Sequence, residues 1–317
     1  MKKAIVLNFK TNNLGDDIQT YAAMQLLPDF DIILDRENLS SPNIVEPVKF
    51  ICNGWFMDKP QNWPPAPNLI PLFISFHVSD FNNSNKLMLS DRLLEYYKKH
   101  EPIGCRDYYT LGLFQSIGIN AYFSGCLTLT LKNKFSNYER NSEILVVDPF
   151  LFYLNNNFKV SIIENLIPKS FHDNIRYITH HKKPNEDIKK RLNEISDLLE
   201  RYSKAHLVIT SRIHAALPAM ALGTPVLFID VGYDNIPQRT RFGGLIDLMQ
   251  TIGKETIKFT DSSYLSRIYR KLNIFEVVSP IKKFNFNWDD PPKPPRLIKE
   301  FDVKLRNTTN DFFFSHY

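Results

Sequence analysis

The chain has 317 residues, of which 43% are hydrophobic and 23% charged, with 39 Lys plus Arg against 34 Asp plus Glu for a formal charge of +5. That composition excludes a disordered chain, and the length exceeds the size at which one hydrophobic core usually stops growing, so two domains are expected. The basic excess is spread along the chain and is not clustered beside an aromatic stripe, so a nucleic-acid partner is not expected.

Three widely spaced cysteines, Cys52, Cys105 and Cys126, do not suit a disulfide framework or a Cys-X-X-Cys metal site, and point to reduced thiols in a cytoplasmic setting. The apolar start Ala4 to Leu7 is too short for a signal-peptide core. The longest apolar run, Leu69 to Phe76, is broken by Pro71 and Ser75 and falls short of a membrane span. The expectation is a cytoplasmic protein without an export signal or transmembrane segment, with a peripheral place at the inner face of the membrane kept open.

Strand-like runs occur at Ala4 to Leu7, Phe30 to Leu34, Val48 to Cys52, Leu69 to Phe76 and Ala121 to Phe123, and a further strand runs through Ile103. Helical spacing appears between them, over Asp17 to Leu27 and Tyr108 to Ile117, closed by Pro28 and Gly118. The polar stretch Leu131 to Asn141 has no periodicity and is the predicted domain boundary. Alternation then resumes: Glu143 to Val147, Ile175 to Thr179, a helix over Asn185 to Lys204, Leu207 to Thr210, a helix over Ile213 to Leu222, and Val226 to Asp230.

Strands alternating with helices predict parallel sheets. The expected fold is therefore α/β, two Rossmann-like domains facing a central cleft in a GT-B-like arrangement. Residues 1–135 form the first domain, with the acceptor side and Arg106, and residues 140–290 the second. Residues 291–317 supply a proline-rich spacer and a closing helix over Arg296 to Phe312, packed across the halves.

The strongest local signal is Thr210-Ser211-Arg212-Ile213-His214-Ala215-Ala216, where a buried strand ends and a helix begins, with Gly223-Thr224-Pro225 ending that helix. Ser211 is placed to cap the helix, whose free N–H groups and positive end attract an anion. Arg212 adds a guanidinium fork and His214 a group that titrates near neutral pH. The alternative is that Arg212 pairs with a surface acid and His214 merely packs.

Gly15 permits a tight turn after the first strand, and Asp16 or Asp17 is placed to bind sugar hydroxyls or orient a base; alternatively Asp16 caps a helix starting near Asp17. Arg106 stands at a strand end, facing the cleft or paired with the neighbouring Asp107. Asn53, Trp55 and Trp63 follow the third strand, and the tryptophans read either as a stacking platform for a sugar ring or as core anchors. His77 ends the next strand and is a secondary candidate. His180-His181 lacks a third ligand at zinc spacing, so no metal site is expected. P-loop, dinucleotide, nucleophile-elbow and zinc-protease motifs do not occur.

In this order the motifs resemble the polysaccharide pyruvyl transferase family. The turn Asn12-Asn13-Leu14-Gly15-Asp16-Asp17 is similar to the family's Asn-X-Gly-Asp turn. Ile103-Gly104-Cys105-Arg106-Asp107 is similar to its Arg-Asp/Glu segment, and Ser211-Arg212-Ile213-His214 with the Gly-Thr-Pro-Val stretch is similar to its carboxyl-terminal signature.

The resemblance implies an enzyme of polysaccharide biosynthesis that transfers the pyruvyl group of phosphoenolpyruvate to a saccharide or lipid-linked saccharide acceptor. No cofactor is needed, since phosphoenolpyruvate is the donor substrate. It implies that Arg106 and Arg212 clamp the donor while His214, as imidazolium, protonates the methylene carbon. Cys52-Asn53-Gly54-Trp55-Phe56 departs from the glycine-rich turn of many members, which leaves the acceptor open. A nucleotide-sugar glycosyltransferase and a non-catalytic glycan-binding homologue are the rival readings.

Overall fold

The computed structural model of the chain describes residues 1–132, 139–150, 156–185, 187–231, 239–253 and 284–314. The first sheet is built from β1 (Lys2–Leu7), β2 (Ile32–Asp35), β3 (Val48–Phe56), β4 (Leu69–Val78), β5 (Ile103–Cys105) and β6 (Ala121–Phe123). Their spatial order is β2-β1-β3-β4-β5-β6, every pairing parallel. Among the helices that accompany it are α1 (Leu14–Leu26), α2 (Ser84–Met88), α3 (Leu94–Lys99) and α4 (Tyr108–Ser116).

The second sheet contains β7 (Ile144–Val147), β8 (Ile175–Ile178), β9 (Leu207–Thr210), β10 (Val226–Ile229) and β11 (Gln250–Ile252), again all parallel, in the order β11-β10-β9-β7-β8. With it go α5 (Asn156–Leu166), α6 (Ile188–Lys204) and α7 (Ile213–Ala221). The molecule is thus two parallel-sheet α/β domains. Strands such as β7, β9 and β10 are buried along their whole length, which is why their sequences read as unbroken apolar runs.

Sheet order decides where a ligand can sit. In the first sheet the chain leaves β1 toward β2 on one side and returns to β3 on the other. In the second, β8 and β9 flank β7 in the same way. Each is a switch point, where loops at the carboxyl ends of the strands diverge and leave a crevice.

Three apolar clusters hold the fold. One lies on β3, β4 and α3 with Phe50, Phe73, Phe76 and Tyr97, and another on the second sheet with Ile144, Ile209 and Trp288. The largest belongs to both domains, joining Ile18, Ala22, Leu127 and Leu129 to Ile195, Leu199, Ile213 and Leu217. Trp63 is a core anchor, 3% exposed, its indole N–H donating to the Tyr97 hydroxyl at 2.8 Å.

A last helix, α8 (Leu297–Phe314), lies against the first domain. Ile298, Leu305 and Phe313 join the shared cluster, Lys49 Nζ donates to the Phe312 carbonyl at 2.6 Å, and Arg306 donates to the Thr130 carbonyl. Gly125, at φ +74°, lets the Phe301 ring close in: a Cβ there would lie 2.8 Å from it.

Several boundaries differ from the sequence reading for physical reasons. Helix α1 begins at Leu14 and not near Asp17, because Asn13 caps it by accepting from the Gly15 N–H at 3.1 Å; the cap is not Asp16. Strand β3 continues to Phe56 through an irregularity at Gly54, whose φ is +99°. Helix α5 and the three-residue β11 were not anticipated. Of the predicted boundary segment, residues 133–138 lie outside the described residues, as do residues 254–283 of the second predicted domain. Among the described residues no helix is long and apolar enough to cross a membrane.

Candidate functional site

A cavity of about 360 Å³ opens where strand ends of the two sheets meet. The loop after β1 contributes Asn8, Lys10, Thr11 and Asn13, and the first turn of α1 contributes Asp16. Arg36 follows β2, Trp55 and Asp58 come from the end of β3, and Arg106 follows β5. The second domain adds His214 from the first turn of α7 and Arg241 from the stretch after β10.

Arg106 and His214, drawn from different domains, therefore line one space. Arg106 is 1% exposed, and His214 is partly buried, with its Nε2 atom out of reach of solvent. Arg106 Nε lies 3.5 Å from Asp107 Oδ2 without making a hydrogen bond, and its Nη1 reaches Gln19 Oε1 at 3.5 Å. The ion pair offered by sequence as the alternative thus exists, inside the protein. Among the described residues, His214 Nε2 and Arg106 Nε have no hydrogen-bond partner. Buried polar atoms normally find one, so two such atoms on a single cavity mark a place for a polar ligand.

Burial, then the nearby Arg106 and Arg241 guanidinium groups, hold the His214 imidazole well below its ordinary pKa. Without a bound anion this favours the neutral imidazole. Gly15 sets the approach of α1 to α7, since a Cβ there would lie 3.1 Å from His214 Cβ and 3.3 Å from its Nδ1.

Arg36 organises another part of the wall. It is surrounded by Glu37 at 2.9 Å, Asp16 at 3.6 Å and Asp58 at 3.7 Å, and it lies 5.4 Å from the centre of the Trp55 ring. Asp16 also accepts from the Thr11 hydroxyl at 2.6 Å. Trp55 is the half-buried tryptophan of the cavity wall, whereas Trp63 is not part of it.

Other residues singled out by sequence do not line this cavity. Arg212 caps α7 through its backbone, with its Nε on Asp148 Oδ2 at 2.5 Å and Nη1 on Asn13 Oδ1 at 3.3 Å. These two contacts tie the guanidinium to the end of β7 and to the loop after β1, while its Nη2 is buried without a hydrogen-bond partner among the described residues. Ser211 does not cap the helix: it is fully buried, donates to the Ile229 carbonyl at 2.9 Å and accepts from the Phe150 N–H.

Asp17 is 1% exposed and forms ion pairs with Arg191 and Lys182 of the second domain, so its carboxylate is taken. Asn53 is buried against the Gln19 carbonyl beneath the cavity, because the irregularity at Gly54 turns Trp55 outward in its place. His77 is buried with Nδ1 at 2.6 Å from Asp107; burial, with Arg106 nearby, lowers its pKa to about 4. Asp107 also caps α4, accepting from the Thr110 N–H at 2.9 Å.

Sequence reasoning missed Lys10, Asn13, Arg36, Asp58 and Arg241. A signal existed for Arg36, which stands two residues past a predicted strand, and for Lys10, which lies in the first strand's loop. Asp58 follows a strand that runs longer than predicted, and nothing in the local pattern marks Arg241.

A family model described as polysaccharide pyruvyl transferase matches residues 13–233. No curated protein matches the chain. Among solved structures, it is similar to a Klebsiella pneumoniae protein of uncharacterized function at 13% identity and TM-score 0.47, over 80% of this chain and 92% of that one. It is also similar to the UDP-GlcNAc 2-epimerase of Methanocaldococcus jannaschii at 14% identity and TM-score 0.40, over 98% and 99%. S. aureus MnaA, solved with UDP, shares 11% identity and a TM-score of 0.33 over 73% and 80%.

Proposed function

The chain belongs to the polysaccharide pyruvyl transferase family, and on that premise we propose that it moves the pyruvyl group of phosphoenolpyruvate onto a saccharide, closing a ketal, as a step of surface-polysaccharide biosynthesis. The observation that carries this reading is the shared cavity, where Arg106 of one domain meets His214 and Arg241 of the other. The two Rossmann-like domains then face a central cleft in the GT-B-like manner, and donor and acceptor meet inside it.

Phosphoenolpyruvate is a small trianion, and the cavity has the charge to receive one. Arg106 and Arg241 hold its phosphate and carboxylate, with Lys10 at the entrance. Arg241 takes the role that the sequence reading assigned to Arg212. Bound anion reverses the balance at His214: negative charge beside the two guanidinium groups favours the imidazolium form, so the proton arrives with the substrate. His214 then protonates the methylene carbon, C2 becomes oxocarbenium-like, an acceptor hydroxyl attacks, and phosphate leaves. A second hydroxyl closes the ketal. The fixed anion site stabilises the leaving phosphate throughout.

The test is phosphate release from phosphoenolpyruvate with a panel of saccharide acceptors. His214→Ala is expected to lower the rate at least ~100-fold, the usual worth of a general acid. A full rate in that variant removes the histidine from the chemistry. Thermal stabilisation by UDP-, GDP- or CMP-sugars, with none by phosphoenolpyruvate, would instead favour a nucleotide-sugar transferase.

A further inference from the structure

We propose that Gln19 is a positioning residue: its carboxamide holds the Arg106 guanidinium in place for the donor anion without cancelling its charge. The inference rests on the proposed binding of phosphoenolpyruvate by Arg106, and it gives a task to a residue that does not line the donor cavity.

The guanidinium needs such a support. Its neighbour Asp107 places an opposite charge 3.5 Å from Nε, but that carboxylate already faces His77 Nδ1 at 2.6 Å and the Thr110 N–H at 2.9 Å, and it makes no hydrogen bond to Nε. Among the described residues, the hydrogen bond of the Arg106 side chain runs from Nη1 to Gln19 Oε1, at 3.5 Å. Asp107 thus supplies attraction, and Gln19 supplies direction. Both ends of that contact are buried, Gln19 at 4% and Arg106 at 1% exposure, where a hydrogen bond is stronger than in water.

The surroundings hold the carboxamide in turn. Gln19 Nε2 donates to the Gly15 carbonyl at 3.3 Å, four residues back on α1. Asn53 Nδ2 donates to the Gln19 backbone carbonyl at 3.4 Å, and Gly54 packs so near that a Cβ there would lie 3.1 Å from Gln19 Oε1. The irregularity in β3 therefore grips Gln19 through two successive residues.

Chemistry fixes which way the amide points. A guanidinium only donates and a backbone carbonyl only accepts, so the oxygen must face Arg106 and the nitrogen must face Gly15. Glutamate would set an anionic oxygen against the Gly15 carbonyl and pair with the Arg106 charge, which would then be lost to the ligand. An apolar side chain would answer neither partner. Gly15 also packs on His214, where a Cβ would lie 3.1 Å from His214 Cβ. One carboxamide thus links the guanidinium of the first domain to the glycine against which the second domain's imidazole rests.

The experiment is titration calorimetry with phosphoenolpyruvate on wild type, Gln19→Met, Arg106→Ala and the double variant. Gln19→Met is expected to weaken binding about 3- to 10-fold, the worth of one hydrogen bond. With Arg106 already replaced, the same change is expected to alter affinity by less than ~2-fold, because its effect passes through the guanidinium. A glutamine that merely stabilises the fold would weaken binding equally in both backgrounds, and that result overturns the assignment, as does wild-type affinity in Gln19→Met. Should methionine at this buried site prevent folding, Gln19→Asn, whose amide is one methylene too short to span both partners, carries the same comparison with the same deciding outcomes. Wild-type binding with an unaltered Gln19→Met sinks this inference alone, whereas no binding by wild type removes the donor reading and the inference with it.

Discussion

Burial disfavours the charged form of an imidazole, and among the described residues His77 and His180 are buried and His214 partly so. Burial, with charged neighbours, lowers His77 to about 4 and His180 to about 3, and it holds His214 well below the ordinary range. The sign of the stability effect follows. Below an unfolded pKa of about 6.5 the unfolded chain binds protons that the native chain refuses, so stability falls with falling pH. Each such histidine removes up to ~1.4 kcal/mol per pH unit in that window. Thermal unfolding is expected to show a lower Tm at pH 5 than at pH 7, and an unchanged or higher Tm would contradict neutral buried histidines. At pH 7, phosphoenolpyruvate binding should also take up about one proton, measured by calorimetry in buffers of different ionisation enthalpy. That uptake should vanish in His214→Gln; uptake undiminished there would place the proton on another group.

At the scale of elements, the ends of helices and strands carry the site. The loop between β1 and α1 belongs to the first domain yet is pinned by the second. The Leu14 N–H donates to the His180 carbonyl at 2.9 Å, the Lys182 N–H to the Asn12 carbonyl at 2.8 Å, and Arg191 Nη2 to the Asn8 carbonyl at 2.8 Å. Asp17 completes the fastening from α1 through Arg191 and Lys182. Removing one member of a buried ion pair leaves the others uncompensated, so Asp17→Ala should cost about 3–5 kcal/mol in urea unfolding. A cost below about 1 kcal/mol would show that these pairs are not holding the loop.

What could be read beforehand follows from the same ends. Arg106 and His214 were legible because each stands where an apolar run gives way to a helical pattern. The pairing of Arg212 with Asp148 was not legible, because Asp148 comes from the end of a different strand and only the fold brings them together. Arg241 was invisible because its contribution depends on tertiary placement alone. Trp55 and Trp63 were read together, as a platform or as core anchors, but Trp63 is buried in the core and Trp55 lines the cavity.

For the whole molecule, the largest apolar cluster runs through both domains and takes in α8. Two domains that share so much buried apolar surface should not unfold independently. Far-ultraviolet circular dichroism and tryptophan fluorescence are expected to give one coincident urea transition, whereas two separated transitions would contradict the shared core. The two-sheet plan was readable from the strand–helix alternation. The fusion of the cores was not, because apolar periodicity shows which face is buried and not what buries it.

The central claim is that two domains bring cationic groups and one imidazole to a common small anion. Titration calorimetry with phosphoenolpyruvate, on the wild-type chain and on Arg106→Ala, tests it most directly. The account predicts saturable one-to-one binding that weakens at least ~10-fold in the variant, in line with loss of a charge-assisted contact of about 1.5–3 kcal/mol. Equal affinity in the two chains, or no binding by either, would contradict it.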